Sequence, residues 1–346
     1  MGLQGWSRRH AMALVGVAIS AVLLVVVFAR VEWAEMARAL GQTRWGFLVL
    51  GAVIGLGGFL VRALDWKFLL RPVARVSALR LFPPVAIGYM ANNIFPARLG
   101  ELVRAYVVGK REGVSKSSAL ATIVVERILD GLTLLLILAI VSVFFPFPRQ
   151  VKMAGWFVAA VFLGLALGLA LVAVKVEWGM RLLDATACRV SPALGEKLKA
   201  WLRCFVVGLD VAHHPWSALA AFVACVGRWV FEACIYFGVA LAMPQLGIPP
   251  HGVLFVMVVV NILTMVPSAP GYVGTVQAAC VLALGVFGLS ESDAVAYSLL
   301  LHAAIYFPIT LTGVAFVVLL NIKVSVVRES EGAVAGRALG EGGTCS

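Results

Sequence analysis

Charged side chains inside long apolar stretches are the residues of this sequence that could do chemistry. An ionisable group within a membrane span costs at least about 2.5–3.5 kcal/mol, so it usually faces a partner or a cavity. The first group is Arg98, Glu101 and Arg104, directly after Pro96. Glu101 is three residues from both arginines, so the three should share one helix face. A helix starting there would turn free N–H groups towards a phosphate; the alternative is a structural salt bridge.

The second group is Glu126, Arg127 and Asp130, inside another apolar stretch. Glu126 and Asp130 are four residues apart and therefore neighbours on one helix face. At about 1.5 Å per residue they lie roughly 12–18 Å from the helix start, too deep to reach water easily. They need a counter-charge, which Arg98 or Arg104 could supply. A lipid phosphate could compete for those arginines; a static link between helices is the alternative.

The third group is Arg228 with Glu232, also four residues apart and near the centre of an apolar stretch. One interpretation makes Arg228 the second-half counterpart of the basic site. The other is an internal ion pair between these two side chains. His302, with Tyr297 and Tyr306 nearby, is marked more weakly, because a lone intramembrane histidine is usually a hydrogen-bonded packing residue.

Sequence signatures of common enzymes are missing. The chain has no Walker motif, no G-x-S-x-G, no H-E-x-x-H and no C-x-x-C. Neither ATP-driven pumping nor hydrolysis has a signature here, and a zinc site has none. We expect no enzyme activity, no metal and no cofactor.

The composition places these residues in a membrane. Of 346 residues 62% are hydrophobic and 13% charged, and the mean hydropathy is +1.00. Soluble domains are about 45–50% apolar and 25% charged. The net charge of +11 does not indicate nucleic acid, because the basic residues lie in short loops between apolar stretches. Continuous apolar stretches also disfavour a β-barrel, whose strands alternate apolar and polar residues.

The apolar stretches predict about six full transmembrane helices and two interrupted segments. A spanning helix needs about 20 apolar residues. The six predicted spans are 11–29, 45–62, 118–144, 153–174, 216–242 and 294–320; the two interrupted segments are 81–109 and 252–289.

Each interrupted segment is predicted to be a re-entrant helical hairpin. Proline removes a backbone donor and glycine weakens a helix. Such a break is tolerated at membrane depth only where protein or water meets the freed backbone groups. The predicted break residues are Asn92, Asn93, Pro96 and Gly100 in the first segment and Pro267, Pro270, Gly271 and Gly274 in the second.

The distribution of Lys and Arg predicts the orientation. With the N-terminus inside and both hairpins re-entrant, most basic loop residues fall on the cytoplasmic side. We therefore expect a multi-pass protein of the cytoplasmic (inner) membrane with both termini in the cytoplasm. Treating either hairpin as a full span would move later basic loops to the wrong side.

This topology predicts an inverted repeat within one membrane domain, residues 1–325. Unit 45–144 has a hairpin that opens to the inside, and unit 216–320 has one that opens to the outside. Oppositely oriented broken helices are typical of transporters with a midplane site. Segment 178–209 is predicted as a cytoplasmic interfacial helix, with a solvated linker as the alternative. Residues 329–346 are predicted to be disordered.

The sequence resembles the lysylphosphatidylglycerol synthase transmembrane-region family, also called flippase-like domain proteins. The resemblance covers roughly residues 10–325. It rests on Asn92-Asn93-Ile94-Phe95-Pro96-Ala97-Arg98-Leu99-Gly100-Glu101 with Arg104, on Glu126-Arg127-x-x-Asp130, and on Pro267-x-x-Pro270-Gly271-Tyr272-Val273-Gly274-Thr275. In this family the membrane region resembles a lipid flippase, joined in some members to a soluble aminoacyl-transferase domain that we do not expect here. The second motif commonly continues into a glutamate, where this chain has Gln277.

Together these features predict that the protein translocates an anionic lipid, either a phospholipid or a polyprenyl-phosphate-linked glycolipid. Arginines 98, 104, 127 and 228 would hold the head group, positioned by the acids of the three groups. The alternatives are a membrane enzyme or accessory subunit acting on lipid-linked sugars, with Glu126 or Asp130 as a base, and a transporter of a small anion. The expected partners are membrane lipids and lipid-biosynthetic enzymes.

Overall fold

The computed structural model describes residues 22, 24–29, 31–95, 99–145, 147, 149–174, 176–186, 192–210, 214–265, 269–320 and 322. Regular structure in these ranges is helical throughout, without a β-strand. The prediction of an all-α polytopic membrane protein is confirmed.

Residues 24–28 are helical, and from residue 33 onwards twelve α-helices follow one another in the described ranges. They are α1 (Trp33–Gly41), α2 (Trp45–Leu70), α3 (Ala78–Ile94), α4 (Gly100–Glu112), α5 (Lys116–Phe144), α6 (Arg149–Val174), α7 (Val176–Ala185), α8 (Pro192–Leu209), α9 (Pro215–Ala242), α10 (Pro250–Thr264), α11 (Thr275–Gly285) and α12 (Glu291–Leu319). Short 3₁₀ turns lie at Pro244–Leu246 and Pro270–Tyr272.

Five helices in the described part of the chain, α2, α5, α6, α9 and α12, are long and apolar enough to cross a membrane. They correspond to five of the six predicted spans. The sixth, 11–29, lies mostly outside the described residues. Helix α2 continues eight residues beyond the predicted end at 62, because Arg62 and Asp65 are buried against other helices rather than placed in a loop.

The two interrupted segments form helix pairs that fold back on themselves. Helix α3 packs on α4, and α10 packs on α11. In the first pair the Gly88 side of α3 lies against Gly100 and Arg104, so the chain reverses between them. In the second, the turn Pro270–Tyr272 and the N-cap Gly274 precede α11, and Gly271 has a left-handed φ of 68°.

Two predicted break residues are still helical. Asn92 and Asn93 lie in the last turn of α3, which ends at Ile94, and α4 begins at Gly100. The Asn92 side chain accepts a hydrogen bond across the break from the Gly100 N–H, and the Asn93 side chain donates one to Thr310 of α12, which explains why polar residues there do not end the helix. Pro96, Arg98 and Pro267 lie outside the described residues.

A glycine-lined crossing joins the two halves of the molecule. Gly51 of α2 faces Gly238 of α9, whereas Gly58 faces Phe231, so the two helices run antiparallel. A Cβ atom on Gly51 would lie 3.0 Å from the Gly238 Cα and 3.1 Å from the Cys234 carbonyl oxygen. Small residues allow this backbone approach, as in other membrane helix pairs.

The packing of one half is repeated in the other. Helix α3 packs on α12, and in the same way α10 packs on α5. Helix α2 contacts α3, as α9 contacts α10. With the antiparallel crossing of α2 and α9, this arrangement has the geometry of two oppositely directed units.

The loops collect at two ends of the helix bundle. At one end, rings of Phe145, Phe147, His251, Phe255 and Phe287 stack together. At the other end Arg80 pairs with Glu112, and the Lys116 ammonium lies over the Tyr106 ring. We call these the aromatic end and the basic end.

Segment 178–209 is not one helix. It is divided between α7 and α8, and residues 187–191 between them lie outside the described residues. Helix α8 packs on α5, where the Ser118 hydroxyl donates a 2.6 Å hydrogen bond to the Cys204 carbonyl. The prediction of a single helix was wrong because Pro192 starts a second helix, as proline does at a first helical position. The cytoplasmic interfacial position of the segment stays a prediction. Tail 329–346 lies outside the described residues, so its predicted disorder stays a prediction.

Candidate functional site

Glu126 is the centre of a buried ionic network. Its carboxylate pairs with Arg104, at 2.8 Å between Nη2 and Oε2, and makes a short contact with Arg62. Arg127 approaches the same carboxylate at 3.3 Å. Glu126 is fully buried, and a buried charge is tolerated when it is paired and hydrogen-bonded. Arg104 therefore supplies the counter-charge that the sequence requires.

Asp130, one turn further along α5, is the second centre of the network. Arg228 from α9 makes a short ion pair with Asp130 Oδ1. Arg127 and Arg62 lie 3.2 Å and 3.4 Å from Oδ2. Two carboxylates of α5 thus bring together arginines from α2, α4, α5 and α9. The ion pair between Asp130 and Arg228 connects the two halves of the molecule.

Glu101 and Arg104 do not face the same group, contrary to the sequence prediction. Arg104 is buried and turned towards α5, whereas Glu101 is partly exposed and pairs with Arg127 at 3.2 Å. The separation follows from the tight packing of α4 on α3, where a Cβ on Gly88 would lie 3.0 Å from the Arg104 Cβ. Arg104 is further held over the Trp66 ring, 3.8 Å from its centroid.

Arg228 and Glu232 do not form the internal ion pair that was one of the two interpretations of their spacing. Arg228 turns to Asp130 instead, since that carboxylate is buried beside it on α5. Among the residues that the structure describes, Glu232 has no ion-pair partner within 4.0 Å. It lines a cavity. The carboxylate is therefore available to a polar group that enters there.

The cavity lies where the two hairpins meet, with a volume of about 130 Å³. Arg62, Arg127 and Arg228 contribute its basic wall. The hairpin ends close it: a Cβ on Gly271 would lie 3.3 Å from the Asn93 carbonyl oxygen. Further polar lining comes from tyrosine, asparagine and histidine side chains, namely Tyr89, Tyr236, Asn261, Tyr272, His302 and Tyr306.

Hydrogen bonds hold the hairpin ends in place around the cavity. The Asn92 side-chain oxygen accepts a 2.8 Å bond from the Gly100 N–H, at the start of α4. Asn93 donates a 2.7 Å bond to Thr310 of α12. In the second hairpin, the Gln277 side-chain oxygen accepts a 2.8 Å bond from the Gly274 N–H. The Asn92 and Gln277 side chains satisfy backbone donors that the breaks would otherwise leave free, and Asn93 links the first hairpin to α12.

Gln277 has a structural role that explains its position. Besides capping α11, its side-chain nitrogen lies 3.1 Å from His302 Nδ1. A glutamate there could accept the same bond from Gly274 N–H, so the cap needs an oxygen and not a negative charge. His302 is thereby oriented at the cavity wall.

The network can bind an anion if the anion takes the place of a carboxylate as the partner of an arginine. Each cavity arginine is already paired with at least one carboxylate, and a phosphate can replace a carboxylate partner with bidentate hydrogen bonds. Within the described ranges, no group of three or more His, Cys, Asp or Glu side chains could hold a metal ion.

Two buried charged residues were missed from sequence, Arg62 of the network and Asp65 beside it. The predicted span ended at 62, but α2 continues to Leu70 and both side chains are buried in it. Their three-residue spacing places them on one helix face, which could have indicated burial. The spacing of Gly51, Gly55 and Gly58 was a second signal, because it marks α2 as a helix packed along its length.

Comparison with known proteins gives one family match over most of the chain. The family model described as Lysylphosphatidylglycerol synthase TM region matches residues 13–313. This range includes all three sequence motifs and the whole ionic network. No solved structure matches the chain.

Similar curated proteins include membrane proteins of comparable length. A UPF0104 membrane protein of Methanocaldococcus jannaschii is 22% identical over 321 residues, 88% of this chain and 93% of that protein. One from Methanothermobacter thermautotrophicus is 24% identical over 338 residues, 89% of this chain and 94% of that protein. Glycosyltransferase AglD of Haloferax volcanii is 29% identical over 127 residues. That match covers 36% of this chain and 20% of the glycosyltransferase.

Proposed function

Since the chain belongs to the lysylphosphatidylglycerol synthase transmembrane-region family, we propose that it moves an anionic lipid between the two leaflets of a membrane. The lipid would be a phospholipid or a polyprenyl-phosphate-linked glycolipid. Its head group would occupy the cavity between the hairpins. The proposal describes a translocator and not an enzyme.

The observation that carries this proposal is the basic wall of a cavity inside the bundle. Moving a phosphate through hydrocarbon is costly because its charge loses water without gaining partners. Arg62, Arg127 and Arg228 offer replacement hydrogen bonds at the cavity. Arg104 does not line the cavity but lies behind these arginines, in contact with Glu126 and Trp66. Its role is therefore to position the Glu126 carboxylate. Arg98 lies outside the described residues, and its part in head-group binding stays a prediction.

Exchange of partners is central to the proposed movement. If the arginines were free, the empty cavity would contain several unpaired buried charges. If they were bound only to carboxylates, a head group could not enter. Arg127 has three carboxylate partners and is the most exposed of the network arginines. It is therefore the arginine that can turn to a phosphate at the lowest cost.

The test is head-group exposure in vesicles that contain purified protein and fluorescent phosphatidylglycerol. An impermeant reductant quenches only the outer leaflet, so protein-dependent loss of the inner signal reports movement. We expect wild type to exceed protein-free vesicles. Arg127→Gln should slow movement about tenfold or more, since it removes a charged hydrogen bond worth roughly 1.5–3 kcal/mol.

Arg80→Gln is the matched control. Arg80 is exposed at the basic end, and its one ion-pair partner among the described residues is Glu112, at 3.4 Å. We expect this variant to move lipid at the wild-type rate. If wild-type protein moves neither phosphatidylglycerol nor a fluorescent polyprenyl phosphate faster than empty vesicles, the proposal is wrong.

The similarity to a glycosyltransferase supports a second candidate, a role in the synthesis of lipid-linked sugars. Glu126 and Asp130, the acids first considered as bases, are each held by several arginines. Glu232 is the cavity acid with no ion-pair partner among the described residues. Incubation of purified protein with a polyprenyl phosphate and a nucleotide sugar tests this role: a glycosylated product would support it, and no product would count against it.

We further propose that the protein lies in the cytoplasmic membrane with both termini in the cytoplasm, and that it acts beside lipid-biosynthetic enzymes. The charge difference between the two ends supports the orientation. Arg71, Arg75, Arg80, Lys110 and Arg111 belong to the basic end, and basic loops are retained in the cytoplasm.

A further inference from the structure

Asp65 is a buried acid that the ionic network does not use. It lies on α2, three residues after Arg62, and is 0% exposed. Neither carboxylate oxygen has a hydrogen-bond partner in the described part of the chain. An ionised carboxylate in such a place loses its hydration without compensation, at a cost of several kcal/mol. The side chain therefore needs either a proton or a nearby arginine.

The charged groups around Asp65 belong to the network. Its strongest electrostatic neighbours are Glu126 and Asp130 of α5, Arg228 of α9 and Arg62 of its own helix. Cys225 of α9 also faces it. Three of these neighbours, Arg62, Asp130 and Arg228, line the cavity. More distant titratable groups on the helices packed against α2 are Tyr89 on α3, which stacks with Arg62, and His302 on α12.

The charges of the described network do not balance when every acid is ionised. Four arginines, 62, 104, 127 and 228, face three ion-paired acids, Glu101, Glu126 and Asp130. Glu232 at the cavity balances the fourth arginine. Asp65 is then a fifth acid, and like charges close together cannot all ionise cheaply.

We propose that Asp65 is a proton-binding site linked to the cavity, so that an anionic head group is bound together with a proton. The proton adds to one Asp65 carboxylate oxygen and makes the side chain neutral. Arg62 and Arg228 then remain available to Asp130 and to the head group. When the proton leaves, the Asp65 carboxylate attracts these same arginines away from the cavity. The inference rests on the proposed anion binding.

Thermodynamic linkage between proton and anion binding gives the direction in which pH changes the affinity for the anion. Binding of the proton favours the anion, and by reciprocity binding of the anion favours the proton. Affinity for the anion should therefore fall as pH rises. At low pH Asp65 already carries its proton, and none is taken up on binding. At higher pH each bound anion brings up to one proton with it, and affinity falls about tenfold per pH unit.

Calorimetry with dihexanoyl-phosphatidylglycerol, used below its micelle concentration, measures this directly. Binding to purified full-length protein is titrated in buffers with different ionisation heats, and the buffer dependence gives the protons taken up per lipid bound. We expect wild type to take up protons at the upper end of a range of about pH 5–9. Asp65→Asn, a neutral substitute of the same shape, should bind the lipid with no uptake at this site and with affinity that no longer falls with pH.

Glu32→Gln is the matched control. Glu32 is an exposed acid beside Ser292 at the start of α12, and it lies outside the network. This variant should take up the same number of protons per bound lipid as wild type. Wild-type binding without proton uptake at any pH in the range overturns the proposal while leaving anion binding intact. Uptake in Asp65→Asn equal to wild type also overturns it and assigns the proton to another group, such as His302. Failure of wild type to bind the lipid contradicts the proposed function itself, and the linkage with it.

Discussion

The buried charges of the network differ in how many partners each one has. Glu126 and Asp130 each have three arginine partners, whereas Arg228 has one carboxylate, Asp130, among the described residues. The loss of one ion-pair partner should therefore cost different amounts of stability at different residues of the network. A buried charge left without its only partner costs much more than one that keeps two.

Asp130→Asn should destabilise the protein by about 3–5 kcal/mol, because it leaves Arg228 buried without its ion pair. Thermal unfolding in detergent micelles measures the change. The double variant Asp130→Asn with Arg228→Gln should recover part of the loss, since neither side chain is then a lone buried charge.

Arg181→Gln provides the comparison. Arg181 pairs with Glu177 at 3.9 Å on the surface, where both side chains are largely exposed. Exposed pairs contribute little, so we expect nearly unchanged unfolding. Equal effects of Asp130→Asn and Arg181→Gln would show that the buried network does not stabilise the fold.

At the scale of helices, the crossing of α2 and α9 depends on the absence of side chains. A Cβ on Gly238 would lie 2.8 Å from the Gly51 Cα and 3.0 Å from the Phe47 carbonyl oxygen. These are backbone atoms, which cannot rotate away. The close approach also sets the position of Arg62 and Arg228 on the two helices.

Gly238→Ala should therefore push the two helices apart and destabilise the protein by about 1–3 kcal/mol, as overpacking does in other cores. It should also weaken the contact between Arg228 and Asp130 and slow lipid movement. Unfolding temperature and the vesicle assay together measure these effects.

Gly164→Ala in α6 is the matched substitution, since a Cβ there meets nothing within 4 Å. We expect unchanged or slightly increased stability, because alanine favours helix more than glycine does. If Gly238→Ala behaves like Gly164→Ala, the crossing is not as tight as the structure shows.

Across the whole molecule, the two ends of the bundle should face opposite compartments. Arg75 follows α2 at the basic end, and Arg149 begins α6 at the aromatic end. In a cysteine-free background, Arg149→Cys should react with an impermeant maleimide added to intact cells. Arg75→Cys should react only after the membrane is permeabilised, because basic loops stay in the cytoplasm. The reverse pattern would invert the proposed orientation.

The membrane class and most spans can be predicted from the sequence because they depend on the length of apolar stretches alone. The network is only partly predictable. Helical spacing places Glu126 beside Asp130, but it cannot show that Arg228 turns to α5 and away from Glu232. Arg62 and Asp65 were missed for a related reason: their burial depends on contacts of α2 with distant helices, and a charge at the end of an apolar stretch looks like a loop.

The antiparallel glycine crossing has a consequence for the origin of the fold. Helices α2 and α9 hold corresponding places in the two halves and meet through small residues on both sides. A contact of this kind is the one that two copies of a single half would make if they entered the membrane in opposite directions. The same geometry thus describes a dimer of an ancestral chain of half this size. Fusion of two such genes would fix one copy in each membrane orientation, and the polar residues inside the two halves could then diverge in sequence.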